Sequence, residues 1–169
     1  MPPGPRRVYS AAETVERVRK AAVSRRHWIF AVDPRQYHWD TLFVKNKEMW
    51  RGAGTQPATL RQVRQVRRGD RVLCYHGAPE RAVYAIAEVS REPYPDPLDP
   101  SGRSLTIDLR AIQRLPRPIP LDELKKTPEL RKMKFLKNVR ATISPLTEAE
   151  YAAILKLAGI VAQIGIPLP

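Results

Sequence analysis

The feature that most constrains this chain is a series of short apolar segments of strand type, separated by helical segments of irregular length. The clearest is Trp28 to Val32, which is continuously apolar and ends at Asp33-Pro34. Further segments of strand type are residues 71–76, 82–90, 104–114 and 139–143. Regular alternation of strands and helices is absent, which disfavours a doubly wound nucleotide-binding fold. The pattern predicts an α+β domain with a small mixed or barrel-like sheet.

Helices are expected where capping residues precede a periodic apolar pattern. Ser10 and Glu13 form a capping-box pattern at the start of a first helix, and Thr147 and Glu150 form another for a helix ending near Ala158. Two more helices are expected at residues 57–68 and 121–126. Pro116 and Pro118 are expected to end the strand before them. Residues 35–54, which are aromatic and polar, are predicted to form an irregular functional loop.

The charge balance points to an anionic partner. The 169 residues include 30 Lys and Arg against 17 Asp and Glu, a formal net charge of +13. Such an excess favours nucleic acid, an acidic lipid surface or polyphosphate. No apolar run approaches the roughly 20 residues of a membrane helix, so we expect no membrane partner. We expect a cytoplasmic monomer without a cofactor or metal.

Three regions are predicted. Residues 1–25 form a basic N-terminal extension with a short helix, residues 26–159 form the main domain, and residues 160–169 form a C-terminal tail. The first region is Pro-rich and basic at its start, and its helix has only a thin apolar stripe. The main domain is long enough to bury a core of its own.

The sequence offers little support for an enzyme. It contains neither a phosphate-binding glycine loop nor a nucleophile elbow. Cys74 and His76 are two residues apart on a predicted strand, so they share a face and a Cys–His nucleophile is conceivable. A small buried thiol beside a polar histidine is the interpretation we favour. We therefore expect a non-enzymatic protein, with an enzyme using Asp33, Cys74 or His76 as an alternative.

Two basic stretches suit phosphate binding. Arg61, Arg64 and Arg68 fall on one face of a predicted helix, and residues 131–140 carry five Lys and Arg with no acid among them. Guanidinium groups match phosphate geometry, although a run of charges is often only a solvated face. We assign phosphate binding to five arginines: Arg35, Arg51, Arg61, Arg64 and Arg68.

Several aromatic residues lie at the ends of predicted elements. Trp50 precedes Arg51-Gly52, Tyr75 and His76 end a strand, and Tyr94 lies between two prolines. Rings in such positions can stack on an unpaired base, and an electron-rich cage favours a methylated base outside its stack. Trp28 and Trp39 are expected to be scaffold residues instead.

Seven segments of the chain resemble an EVE domain in their order and spacing. They are residues 28–34, 50–52, 69–76, 85–96, 107–109, 119–124 and 143–151. EVE domains belong to the PUA-like superfamily, with the ASCH and YTH domains. The resemblance implies a pseudo β-barrel of about five to six strands with flanking helices, covering residues 26–159.

The resemblance also implies a nucleic-acid-binding protein that reads a modified or flipped base of DNA or RNA. Trp50 is expected to be a cage wall, and Asp33, where many relatives have serine, to accept from the amino group of cytosine or adenine. The chain departs from the family in the residues after Trp50 and after His76, and it has no Trp before Ile107. The predicted base pocket comprises Asp33, Pro34, Trp50, Gly52, Tyr75, His76, Tyr94 and Asp96.

The sequence allows two further interpretations of the function. The same pocket could hold a nucleotide or another small anionic ligand. The chain could also be a protein-interaction module whose charge serves solubility alone.

Overall fold

A computed structural model describes the backbone of residues 8–169 and the side chains of residues 8–17 and 25–169. The predicted extension 1–25 therefore lies partly outside the described residues. The strands are β1 His27–Val32, β2 Lys47–Trp50, β3 Arg71–His76, β4 Ala82–Pro95, β5 Leu105–Pro120 and β6 Ile143–Leu146. The helices are α1 Ala11–Ser24, α2 Asp40–Lys45, α3 Pro57–Val63, α4 Leu121–Lys126, α5 Lys134–Lys137 and α6 Glu148–Leu157.

The six strands form one mixed sheet in the order β2-β5-β4-β3-β1-β6. β1 pairs with β3 in parallel, and the other neighbouring strands are antiparallel. Within the described residues the sheet does not close, because β2 and β6 remain as its two edges. The expected α+β class and number of strands are confirmed.

The sheet is strongly curved. Phe30 on β1 stacks on Trp50 of β2, with ring centroids 4.2 Å apart and planes 26° apart. These two strands are separated by three others in the sheet, so their side chains can meet only if the sheet curls towards itself. The curl gives the barrel-like shape and places the end of β1 opposite the edge strand β2.

Both faces of the sheet are covered. Alternate residues of β1 point to opposite sides, with Trp28 and Phe30 in one core cluster and Ile29 in the other. Leu60 and Val63 of α3 pack on the first cluster, and Ile154 of α6 packs on the second. Burial on both faces explains why the central strands read as continuous apolar runs. None of the helices that the structure describes is long and apolar enough to cross a membrane.

Asp70 joins β1 to the turn before β3. Its side chain is buried and accepts hydrogen bonds from Trp28 Nε1 at 2.9 Å, Arg26 N at 3.0 Å and Arg67 N at 2.9 Å. Three donors offset the cost of burying one carboxylate. Trp28 is therefore a scaffold residue, as predicted.

The prediction of an irregular loop over residues 35–54 is wrong in part, because α2 and β2 lie within it. Asn46 has a φ of 68°, a left-handed conformation that reverses the chain between them. β2 has only four residues and pairs on one side, with β5. So short an edge strand leaves too little alternation to detect in sequence.

Prolines account for two more corrections. β5 continues through Pro116 and Pro118. Residues 115–118 of β5 are opposed by a single residue of β4, Tyr84, so they form a bulge. Proline is tolerated in a bulge because the regular ladder of hydrogen bonds is interrupted there. The last strand is β6, not residues 139–143, and it includes Pro145. Pro145 is tolerated because β6 is an edge strand, which needs partners on one side only.

The helix predictions hold with changed bounds. α3 ends at Val63, so Arg68 lies beyond the helix that was expected to contain it. The capping box of Thr147 and Glu150 is present at the start of α6. Gly159 follows α6 with a φ of 86°, which ends the helix as expected.

Candidate functional site

A cavity, which we call the main cavity, lies where β1 ends. It has a volume of about 670 Å³, which is in the usual range for a small-molecule site. The walls come from the end of β1 and the turn after it, from β2 and the two residues that follow, and from single residues of α2, β5 and the segment before β6. The lining residues are Ala31, Val32, Asp33, Gln36, Tyr37, Trp39, Leu42, Glu48, Met49, Trp50, Arg51, Gly52, Leu109 and Thr142.

Three aromatic side chains line this cavity. Tyr37 and Trp39 follow β1 and contact each other edge to face, with centroids 5.7 Å apart. Trp39 is buried and donates from Nε1 to the backbone oxygen of Tyr75 at 3.0 Å, which fixes its ring. Trp39 is thus both the expected scaffold residue and part of the cavity wall.

Trp50 forms a rigid part of the wall. It is 5% exposed, one face of its ring stacks on Phe30, and Gly52 lies against the indole. Its Nε1–H has no hydrogen-bond partner within the part of the chain that the structure describes. Buried donors usually have a partner, so this unpaired N–H, covered by Gly52, is an unusual feature of the wall.

Asp33 is held by its neighbour Arg35. The carboxylate accepts from Arg35 N at 2.9 Å, from Nε at 3.0 Å and from a terminal guanidinium nitrogen at 2.9 Å. These hydrogen bonds hold the pKa of Asp33 below its ordinary value. Asp33 is consequently ionised near neutral pH, and Arg35 is engaged with it.

A second carboxylate, Glu48, lines the opposite wall. It accepts from the Tyr37 hydroxyl at 2.8 Å and from Lys45 Nζ at 2.8 Å. Burial raises the pKa of Tyr37, and the hydrogen bond to Glu48 adds to the rise. The Tyr37 ring therefore stays neutral and is oriented by a fixed contact.

Arg51 contributes a positive charge to the same cavity. Its Nε donates to Asp96 Oδ2 at 2.6 Å, and Asp96 is buried. The Arg51 hydrogen bond lowers the pKa of Asp96. Asp96 thus positions Arg51 and does not itself line the cavity.

A second cavity, of about 480 Å³, adjoins the first. The two cavities share the lining residues Ala31, Val32, Asp33 and Thr142. The others that line the second are Arg35, Tyr75, Gly77, Ala78, Arg81, Leu121, Val139 and Arg140.

The structure brings some of the predicted base-pocket residues together and separates others. Asp33, Trp50 and Gly52 line the main cavity, and Tyr75 lines the second. The residues that line neither are Pro34, His76, Tyr94 and Asp96. The Tyr94 hydroxyl donates to Asp108 instead, in the register between β4 and β5.

The predicted phosphate-binding arginines also divide. Arg51 lines the main cavity and Arg35 the second. Arg61, Arg64 and Arg68 are exposed on or after α3 and line neither. Helical spacing predicted that these three share one face, but α3 packs against β6 and none of the three reaches either cavity.

His76 is buried and contacts the backbone of Trp39, which lines the main cavity. Its Nε2 accepts from Trp39 N at 3.0 Å, so in the neutral ring the proton is on Nδ1. That nitrogen lies 2.9 Å from Glu80 Oε2, in a contact that departs from hydrogen-bond geometry. Burial lowers the pKa of His76, with His38 the next cause. His76 therefore fixes the backbone of Trp39.

The residues His38, His76 and Glu80 have ligand atoms within 4.8 Å of one another, which raises the question of a metal ion. His38 Nδ1 accepts from Asp40 N at 3.1 Å, so its proton too is on the nitrogen that faces Glu80. A metal-binding histidine has the reverse arrangement, since it donates from the nitrogen remote from the metal. The hydrogen bonding here suits two N–H groups facing one carboxylate.

Cys74 is fully buried in the core, on the same face of the sheet as Trp28 and Phe30. Burial raises the pKa of its thiol well above the ordinary value. A thiol that stays protonated is a poor nucleophile. The interpretation of Cys74 as a small core residue is confirmed.

Sequence reasoning missed several cavity residues. Gln36, Tyr37 and Glu48 belong to the stretch 35–54 that was singled out as functional, but none of them was selected. Arg140 was noted only as part of a basic run, and Arg81 and Thr142 carried no signal. These residues are far apart in the chain, and several features of the sheet bring them together. The parallel pairing of β1 and β3 places the loop with Arg81 beside the end of β1. The antiparallel pairing of β6 with β1 brings in Arg140 and Thr142, and the curl of the sheet brings in Glu48.

The curled mixed sheet with covering helices is a PUA-like fold, and its main site is a cavity with aromatic and charged walls. Residues 26–157 match the family model of the EVE domain. The chain belongs to the EVE domain family. A comparison with curated proteins gives no significant match.

Solved structures share this fold. The protein Rpa0253 from Rhodopseudomonas palustris is 30% identical with a TM-score of 0.74, and the match covers 82% of this chain and 97% of that one. Human THYN1 in complex with 5-methylcytosine-containing DNA is 23% identical, with a TM-score of 0.69 and coverages of 79% and 97%. The YTH domain of Zygosaccharomyces rouxii MRB1 in complex with N6-methyladenosine RNA is 18% identical, with a TM-score of 0.54 and coverages of 83% and 90%.

Proposed function

We propose that this protein is a non-enzymatic nucleic-acid-binding module that accepts one modified or flipped base in its main cavity. The observation that carries the proposal is the cavity itself, with Tyr37, Trp39 and Trp50 in its walls. Aromatic walls favour the flat face of a base, and they favour a methylated base further. Membership of the EVE family and the nucleic-acid complexes of THYN1 and the YTH domain support the proposal.

The polar groups of the cavity suit a base edge. The guanidinium of Arg51 carries donors, and the carboxylates of Asp33 and Glu48 are acceptors. Cytosine and adenine each offer an amino group beside a ring nitrogen acceptor, so both can use a donor and an acceptor together. The net charge of +13 supplies the general attraction to phosphate.

The test compares variants on short single-stranded DNA and RNA that carry one 5-methylcytosine or one N6-methyladenine, with plain oligonucleotides as references. Trp50→Ala should weaken binding of the preferred oligonucleotide by about 1–3 kcal/mol if the indole contacts the base. Trp50→Phe should retain most of the binding. Binding by Trp50→Ala as tight as that of the wild type would contradict the base pocket.

The matched control is Val66→Ala. Val66 belongs to the same core cluster as Trp50 but does not line the cavity. It should lower stability and leave oligonucleotide binding unchanged, as thermal unfolding and fluorescence polarisation would show. Competition by a free modified mononucleotide as strong as by the oligonucleotide would favour a small anionic ligand instead.

A further inference from the structure

The second cavity differs from the first in its charge. Three arginines line it, namely Arg35, Arg81 and Arg140. Asp33 is the acid in its lining, and Arg35 already pairs with that carboxylate. Arg81 and Arg140 are exposed and form no ion pair within the described residues. The cavity therefore carries a positive charge that the protein does not neutralise.

Tyr75 adds a buried hydrogen-bond donor to this cavity. The residue is 2% exposed, and its ring packs edge-on against Phe135 with centroids 4.8 Å apart. Its hydroxyl has no hydrogen-bond partner in the part of the chain described by the structure. Tyr75 lines this cavity together with Arg81 and Arg140. A fixed O–H beside guanidinium groups is a suitable arrangement for an anion.

The second cavity adjoins the main cavity, and this position indicates which anion it would bind. Ala31, Val32 and Asp33 at the end of β1 line both cavities, and so does Thr142. Ala31 N donates to Thr142 O at 2.9 Å, which joins the two segments of this shared wall. One sugar separates a base from the phosphate next to it in a nucleic acid. Two cavities with a common wall can therefore hold a base and its neighbouring phosphate side by side.

We propose that the second cavity binds the phosphodiester group adjoining the base held in the main cavity, through the guanidinium groups of Arg81 and Arg140 and the hydroxyl of Tyr75. This inference rests on the proposed function. It moves the phosphate-binding role from the arginines on or after α3 to Arg81, just before β4, and Arg140, before β6.

Arg81 offers a variant that should fold. Its φ of 47° lies in the left-handed region, which glycine adopts without strain. The conformation is held by Arg81 N donating to Gly77 O at 3.1 Å and Leu121 N donating to Arg81 O at 2.8 Å. Arg81→Gly keeps both backbone contacts and removes the guanidinium. We expect its melting temperature to be close to that of the wild type.

The experiment uses single-stranded pentamers, made both as DNA and as RNA, that carry one central 5-methylcytosine or N6-methyladenine. Each linkage beside that base is replaced in turn by an uncharged methylphosphonate. The wild type should lose about tenfold in affinity at one of the two linkages, since a charge-assisted hydrogen bond is lost there. Arg81→Gly and Arg140→Gln should bind more weakly and lose less than about twofold on the same replacement. Arg64→Gln, a remote arginine, should keep the wild-type loss.

The ratio of binding to modified and plain pentamers separates the two proposals. The inference is supported by two results together. All variants keep the preference for the modified base, and Arg81→Gly and Arg140→Gln remove the loss of affinity caused by the methylphosphonate, which we call the linkage effect. A preference without a linkage effect, or with the same effect in every variant, overturns the inference alone. No preference in the wild type overturns the proposed function and the inference with it.

Discussion

A Cβ atom at Gly52 would lie 2.8 Å from both Nε1 and Cε2 of Trp50. Real Cβ atoms do not come so close, so the indole can occupy its place only because residue 52 has no side chain. Trp50 cannot move away freely, because Phe30 stacks on its ring. The spacing Trp-x-Gly in this chain is therefore a packing requirement of the cavity wall.

Gly52→Ala should displace Trp50 and lower the free energy of unfolding by about 1–3 kcal/mol, the usual cost of overpacking. It should also weaken oligonucleotide binding, because the cavity wall moves. Urea unfolding and fluorescence polarisation measure the two effects. Gly77→Ala is the control for stability, since its Cβ would meet only Val32 O at 3.5 Å. Equal losses of unfolding free energy in the two variants would contradict the packing argument.

Asp33→Ala should reduce the affinity for oligonucleotides by about threefold to tenfold, if the carboxylate accepts from a base amino group. The Arg35 hydrogen bonds that lower the pKa of Asp33 keep it ionised and able to accept. Arg35→Gln is the companion variant, which leaves the carboxylate in place and should retain preference among bases. Undiminished binding of Asp33→Ala to every oligonucleotide would rule out this role.

Asp70→Ala should destabilise the protein by about 3 kcal/mol or more, because it leaves buried donors without their charged acceptor. The donors are the Trp28 indole and two backbone N–H groups. Asp122→Ala, on the exposed first turn of α4, should cost only a few tenths of a kcal/mol. Urea unfolding of both variants tests the difference, and a loss at Asp70 as small as at Asp122 would contradict it.

Stability should fall as the pH drops from about 6.5 to about 4. Burial, with Arg25 as the next cause, lowers the pKa of His27 from 6.5 to about 4. The unfolded chain therefore binds a proton in this window that the folded chain does not, so stability is full above pH 6.5 and decreases below it. The loss assigned to His27 is about 2–3 kcal/mol.

The variant His27→Phe should reduce the slope of unfolding free energy against pH in that window. Phenylalanine preserves a ring beside Tyr151, which lies 4.3 Å from the His27 ring. His76, whose pKa is also lowered by burial, should retain part of the slope. A slope identical to that of the wild type between pH 4.5 and 7 would show that His27 is not the responsible group.

Most of the fold could be predicted from the sequence because its central strands are buried on both faces. Strands β1 and β3 are continuous apolar runs with clear ends, such as Asp33-Pro34. The edge strands β2 and β6 were missed or misplaced, since each has four residues and pairs on one side. Pro145 in β6 argues against a strand in the sequence, because proline cannot donate a backbone hydrogen bond. Only the edge position of β6 makes it acceptable.

The site was only partly predictable. Asp33, Trp50 and Gly52 lie in the main cavity, as the family resemblance implied, but their roles in binding stay predictions. Tyr94 was selected for its position between prolines, yet β4 continues through it and its hydroxyl donates to Asp108. Arg81 could not be selected at all, because its importance depends on the parallel pairing that brings the loop after β3 beside the end of β1.

The most direct test of the central claim is binding of the wild-type protein to a panel of short oligonucleotides at two salt concentrations. The panel comprises single- and double-stranded DNA and RNA, each plain or carrying 5-methylcytosine or N6-methyladenine. Contacts to phosphate weaken steeply with salt, whereas contacts to a base in a cavity do not. We predict a preference for one modified base that persists at the higher salt concentration. Uniform binding that disappears with salt would contradict a base-reading site.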